Sequence, residues 1–459
     1  MEPIFSNDAI TLGILIIALA LIFHTSHSKN PAWKKFYTYV PALLLCYFIP
    51  AILNYPLGLI SPEWYDNELI NFLADRNLEI PSRSFNEIKE WLAAEGLAEE
   101  TNKFIGKSKL YFVASRYLLP ASLVLLCLSI DFQGIFNLGP KAIIMFLAAT
   151  LGIIIGGPIA LLTVTNLFPN LIQASPDEVW KGLSTVAGSW IGGGANQTAM
   201  KEIFEVKDNL FASMIVVDVI VANIWMGFLL YGASITKKID GYLKSDTTAI
   251  EDLKNRVKSY REGIEKIPTI TDVFIMLAVA FGATAFAHWG ADVMVPAMES
   301  ISEFLEKYKL NSLMSHFFWL IVLCTTVGLL LSFTKFRELE GVGASRWGSV
   351  FIYILVATIG MKMNVGEIYK NLGLFAVGGI WMLIHVIILL LVAKLIKAPF
   401  FFVAVGSQAN IGGAASAPIV ASAFSPALAP VGVLLAVLGY AAGTYGALIC
   451  AFLMQGAVN

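Results

Sequence analysis

Charge is what this 459-residue chain lacks. Asp, Glu, Lys and Arg make up 14% of it against 57% hydrophobic residues, and the mean hydropathy is +0.72. A soluble protein carries about a quarter charged residues, so a water-soluble enzyme is excluded. The net charge of −2 leaves no broadly basic surface for nucleic acid. Cysteine is scarce as well. The four present, Cys46, Cys127, Cys324 and Cys450, all fall inside apolar runs, which indicates neither a disulfide framework nor a zinc cluster. There is no phosphate-binding glycine-lysine loop, no HExxH and no GxSxG, so ATP-driven transport and the common hydrolytic chemistries have no motif behind them. The expectation is a protein that is not an enzyme and has no cofactor beyond a coupling ion. The first apolar run lacks a basic leader region and reads as a retained helix, not a cleaved signal.

What the chain has in abundance is apolar runs of membrane-spanning length. They stand near residues 9–25, 37–60, 110–130, 140–167, 210–233, 270–291, 312–333, 346–363, 372–397 and 427–454, and a helix of about 20 apolar residues crosses a bilayer. The fold class expected is an all-α polytopic membrane protein of about ten spanning helices. Two further segments, 182–205 and 400–424, are crowded with Gly, Ala, Ser and Asn and read as re-entrant or broken elements. Domain organisation follows in order: two spans in 1–60, an external amphipathic insertion in 61–109, a first repeat in 110–233, a cytoplasmic linker in 234–268, and a second repeat in 269–459. Within the insertion, "FNEIKEWLAAEGL" predicts a short helix.

Lys and Arg in short loops set the orientation. Lys29, Lys34 and Lys35 follow the first span without an acid, and 234–268 carries eight basic residues, so both stretches are expected inside. The 61–109 stretch, with ten acidic and six basic residues, is expected outside, as are both termini of what reads as a multi-pass protein of the cell membrane. These assignments agree only if 182–205 enters and leaves on one side, as a re-entrant hairpin.

Three short matches recur in order. "ASRY" at Ala114–Tyr117 returns as "ASRW" at Ala344–Trp347, and "NLG" at Asn137–Gly139 returns at Asn371–Gly373. "VAGSWIGGGAN" from Val186 returns loosely as "VAVGSQANIGGAAS" from Val403. With the hairpin in place the two halves are inverted. Inverted repeats with interrupted segments at matching positions mark secondary transporters, whose substrate site lies at those interruptions.

Glycine permits a sharp turn inside the membrane, where protein or water must cover unwound backbone. Gly192, Gly193 and Gly194 are followed by Asn196, Gln197 and Thr198. Ser407, Gln408 and Asn410 precede Gly412 and Gly413, and Ser416 follows. These twelve residues are the candidate substrate site. The competing explanation is tight helix packing on small residues, which Ala414, Ala415, Ala417, Ala421 and Ala423 also fit. Asp218, eight residues into its span, with Asn223 five further on, is the candidate for cation coupling, because an intramembrane carboxylate is costly. No metal cluster is expected, only a Na⁺ position near Asn196, Asn410 and Asp218. The alternative for Asp218 is a carboxylate satisfied for structure alone. Lys201 and Glu202 offer it a partner or sit at the interface. Arg116, Arg346 and Lys362 lie at span ends, where snorkelling is the commoner explanation. His316 and His385 are more often packing histidines than proton carriers.

"GLSTVAGSWIGGGANQTAMKEIF" and "VGSQANIGGAASAPIVASAF" resemble the domain-of-unknown-function 819 (YjcL-like) family of integral membrane proteins. The resemblance covers most of the chain but not the 61–109 insertion. The paired tips are also similar to those of glutamate:sodium and 2-hydroxycarboxylate symporters, matching at Gly192 to Gly194 and at Gly412 and Gly413. The second tip departs from that pattern, with Ala415 where the motif has glycine. The resemblance implies a homodimeric elevator in the lipid bilayer, carrying its hairpins past a scaffold. The function expected is a Na⁺- or H⁺-coupled transporter of a small organic, anionic solute. A cation/proton antiporter, and a channel or membrane scaffold, stand as alternatives.

Overall fold

The computed structural model describes residues 2–80, 85–168, 171–172, 174–245, 268–307, 310–363, 373–425 and 428–458. Most of the 234–268 linker and the start of the second NLG anchor lie outside the described residues. The chain divides into two compact units, one of residues 1–116 and 353–365, the other of 117–352 and 366–459.

In the first unit, Asn7 caps the helix Asp8–Ser26 by accepting from the Ala9 and Ile10 amides, satisfying donors a helix start leaves open. The insertion is a small folded body. Helix Phe85–Ala94 forms where its sequence predicts. It packs Ile88 and Leu92 against Leu69, Leu73 and Tyr65 in a core of its own. Strands Glu63–Tyr65 and Ile105–Lys107 pair antiparallel and bring the two ends of the insertion together. This ribbon is a departure from the purely helical expectation. The Ser108 hydroxyl and the Lys109 amide both donate to Asp8, fastening the ribbon's exit to the start of the first span.

Among the described residues, seven helices are long and apolar enough to cross a membrane, or up to nine if two bent pairs each count as one span. The chain is thus an all-α polytopic membrane protein. Seven of the ten apolar runs are single helices of that length: Asp8–Ser26, Leu110–Leu128, Pro140–Leu167, Asp208–Ser234, Ile270–Glu299, Gly373–Leu395 and Ala429–Val458. The other three are shorter. Ala42–Asn54 has 13 residues, His316–Leu331 has 16 and Ala344–Gly360 has 17. At 1.5 Å per residue these reach about 20–26 Å, short of the roughly 30 Å hydrocarbon core. His316–Leu331 continues into Lys335–Val342 only through a bend of 98°.

The second unit is built inside-out relative to a soluble protein. Along Pro140–Leu167, Ile144, Leu147, Leu151, Ile155, Ile159 and Leu162 form one exposed stripe, while Ala142, Ala149, Gly152, Gly156 and Ala160 are buried. Large side chains face lipid, and small ones let helices approach. Gly152 abuts the His385 backbone, and Gly156 abuts Trp381, on helix Gly373–Leu395. The Trp381 indole donates to Ile153 O at 2.8 Å across the same seam.

Candidate functional site

Both glycine-rich segments reverse the chain inside the second unit. The first consists of two arms, Pro176–Gly192 and Gly194–Ile203. It begins six residues before the predicted boundary, because Ser175 caps the Glu178 amide and Pro176 opens the helix. Gly193 turns the chain with φ 79°, a conformation only glycine adopts cheaply. The arms fold back on each other: a Cβ on Gly188 would meet the Asn196 carbonyl at 2.6 Å. In a continuous helix, residues eight apart are separated by about 12 Å along the axis. The second segment has arms Phe400–Ile411 and Gly413–Phe424, with Gly413 at φ 55°. There Gln408 Nε2 donates to Ser416 Oγ, eight residues on, at 2.7 Å.

The two tips meet on helix Ala429–Val458. A Cβ on Gly439 would lie 2.8 Å from Ile191 O of the first tip and 3.5 Å from Ala409 O of the second. One turn on, Gly443 abuts the Gly192 Cα.

Asn196 and Asn410 hold the tips through the same arrangement. Asn196 Nδ2 donates to Gly192 O, four residues back on its own strand of chain, and to Tyr440 O, while Oδ1 accepts from Thr444. Asn410 Nδ2 donates to Gly406 O, again four back, and to Phe146 O, while Oδ1 accepts from Thr150 at 2.8 Å. In each case the threonine stands four residues after the accepting carbonyl on the crossing helix. Of the two amide hydrogens of each side chain, one is committed to its own hairpin and the other to the crossing helix. Replacing either asparagine by alanine removes three hydrogen bonds and is expected to cost about 1–3 kcal/mol. Thermal unfolding of the purified variants should show two losses of similar size; one large and one negligible loss would break the equivalence.

Asp218, 5% exposed, bridges both arms of the first hairpin. Its Oδ2 accepts from Ser189 at 2.6 Å and from Gln197 Nε2 at 2.9 Å, and Oδ1 accepts from Trp190 at 2.7 Å. Lys201 does not reach it: its ammonium pairs with Asp208 at 2.9 Å, fastening the hairpin's exit to the start of helix Asp208–Ser234. At the hairpin's entrance, Lys207 pairs with Glu178.

Two side-chain atoms at the tips have no partner. Gln197 Oε1 and Gln408 Oε1 are buried acceptors without a hydrogen bond, on side chains 1% and 2% exposed. Each forfeits roughly 1–3 kcal/mol of desolvation unless something from outside the chain engages it.

A second polar line runs behind the other tip. His385 Nδ1 faces Ala149 O, which only accepts, so the proton sits on Nδ1 and Nε2 accepts from Ser407 at 2.8 Å. Ser407 in turn accepts from Trp225 Nε1 at 2.8 Å. Ser407 therefore joins four helices through a satisfied network. The base of this hairpin is held by Asp240, which accepts from the Phe400 amide at 2.7 Å.

The sequence-predicted residues thus divide. Gly192, Gly193, Gly412 and Gly413 form the turns, Gly194 opens the second arm, and Gln197, Gln408, Ser416 and Asp218 cluster at them. Thr198 caps Gly194 O within its own helix. Asn223 donates to Val219 O and lies about 140° round its helix from Asp218, away from the hairpin contacts. Thr150, Thr444, Ser189, Trp225 and Gly439 were not singled out in sequence. Isolated hydroxyls inside apolar runs are the signal that points to the two threonines.

The family described as "Protein of unknown function (DUF819)" matches residues 97–456. The chain belongs to that family. The matched stretch contains both hairpins, Asp218 and every partner named above; residues 1–96, with most of the insertion, lie before it. The "Uncharacterized membrane protein YjcL" of Bacillus subtilis (strain 168) is 22% identical over 345 residues, covering 74% of this chain and 82% of that protein.

Proposed function

We propose that this member of the DUF819 family is a secondary transporter. It moves a small organic, anionic solute, coupled to Na⁺ or H⁺, by carrying the two hairpins past the remaining helices in an elevator-type, alternating-access cycle. We propose a homodimer as the working unit and place it in the cell membrane with both termini outside. The observation that carries this is the meeting of two chain reversals at Gly439 inside an apolar bundle. Unwound backbone at such depth is kept where it serves a site. Arms Gly194–Ile203 and Gly413–Phe424 both start at the tips without a side-chain cap. Their amide ends favour an anion, while Asp218 supplies the charge for a cation.

Reconstitution into liposomes tests this. With a panel of small organic acids inside and outside, the expected result is counterflow of one of them, accelerated by an inward Na⁺ or proton gradient. Cation-driven proton movement without any solute effect would favour an antiporter. No gradient-dependent movement of solute or cation would overturn transport.

A further inference from the structure

Asp218 is buried among neutral groups: its contacts come from Ser189, Trp190 and Gln197, and among the described residues no Lys, Arg or His forms an ion pair with it. A buried carboxylate without a compensating charge is strongly unfavourable. Beside it is a second unmet need. Gln197 gives its Nε2 to Asp218 Oδ2 at 2.9 Å, and its Oε1 is buried with no partner. Amide nitrogen and oxygen share one carbon, so Oε1 lies within about 5 Å of the carboxylate. One missing positive charge and one missing donor thus fall at the same place, where the arm Pro176–Gly192 ends and brings its last carbonyls to the tip.

We infer that a monovalent alkali cation, Na⁺, binds at the tip of the first hairpin, with Gln197 Oε1 as a ligand and the Asp218 carboxylate as its counter-charge. This rests on the transporter reading and specifies its coupling ion. The contacts themselves distinguish Na⁺ from a proton. Trp190 Nε1 and Gln197 Nε2 donate and cannot accept, so a proton on Asp218 has only the Ser189 hydroxyl to bond to and leaves Gln197 Oε1 unmet unless the amide turned over. A metal ion satisfies the carboxylate and the orphan oxygen while disturbing none of the three hydrogen bonds. Among the described residues no three of His, Cys, Asp or Glu gather together, so the ligands on offer are those of a hard, oxygen-seeking ion. The Asn196 and Asn410 Oδ1 atoms already accept from Thr444 and Thr150, so the unpartnered Gln197 Oε1 is the side-chain oxygen with the greater need of a cation.

The test is binding of radioactive ²²Na⁺ to the purified full chain, with unfolding temperature followed in NaCl and in choline chloride at equal ionic strength. Saturable binding and a sodium-dependent rise in unfolding temperature are expected for the wild type. Gln197→Leu should weaken sodium affinity about tenfold or more, the scale of one lost ligand to a charged group, while still unfolding cooperatively in choline. Should that variant not fold, Gln197→Glu keeps an oxygen in place and adds a charge. Its stability should depend on sodium more steeply than the wild type's. Unchanged sodium affinity in Gln197→Leu, or no steepening in Gln197→Glu, would overturn the assignment. A wild type that binds no Na⁺ yet shows proton-driven counterflow would overturn the sodium site and leave transport standing. A wild type that neither binds Na⁺ nor moves any solute would overturn both.

Discussion

Asp218→Asn is expected to fold, to unfold at a higher temperature than the wild type in sodium-free buffer, and to lose its response to sodium. An asparagine oxygen replaces Oδ1 as acceptor for Trp190. Its amide group then faces Ser189, which accepts as well as donates, and Gln197. If the Gln197 amide turns over, its presently unpartnered Oε1 accepts from the new amide. The turned amide leaves Nε2 where Oε1 had no partner, so the gain, about 1–3 kcal/mol, comes from removing the uncompensated buried charge. The same change removes the charge that attracts the cation, so the sodium-linked shift should vanish. Unfolding curves with and without sodium check both parts. A destabilised variant that still responds to sodium would mean that Asp218 serves packing alone.

Gly192→Val is expected to disrupt the fold of the second unit. A Cβ there would fall on the Asn196 amide, 2.5 Å from Gly439 O and 2.7 Å from the Gly443 Cα. The last two are backbone atoms of a crossing helix and have no rotamer to give way. Overpacking ordinarily costs about 1–3 kcal/mol, and here the loss of the Asn196 crossing adds a further 1–3 kcal/mol. The informative comparison is with Gly193→Ala. A Cβ on Gly193 meets nothing within 4 Å, and its cost, about 1–3 kcal/mol, comes only from the positive-φ, extended backbone at φ 79° and ψ −171°. Yield of folded protein by size exclusion should therefore fall steeply for Gly192→Val and modestly for Gly193→Ala. The reverse order would contradict the packing described for this tip.

The long spans were legible because an apolar run of that length needs no tertiary context. Helix Phe85–Ala94 was legible for the converse reason, its local amphipathic pattern. The hairpins announced themselves through glycines beside amides, and 400–424 coincides with Phe400–Phe424. The ribbon Glu63–Tyr65 with Ile105–Lys107 was not visible. Three-residue strands carry no periodicity, and their pairing spans some forty residues. Which amide at a tip is structural was equally hidden. Asn196 and Gln197 are neighbours of similar chemistry, but a helix turns successive side chains about 100° apart. One meets Thr444 and the other Asp218. Lys201 looked like a partner for Asp218, yet the arm that carries it ends beside Asp208. Gly439 gave no sign of its role, since a glycine in a long apolar helix is ordinary until two tips converge on it.

The measurement that bears hardest on cation-coupled transport is the thermal stability of the purified wild-type protein, in sodium against choline, across a panel of small organic acids. A ligand of the native state raises stability by mass action. A sodium-dependent rise in unfolding temperature, enlarged by one acid and not by the others, is the expected result, and it would name the solute. An unfolding temperature indifferent to sodium, to pH and to every acid would contradict it.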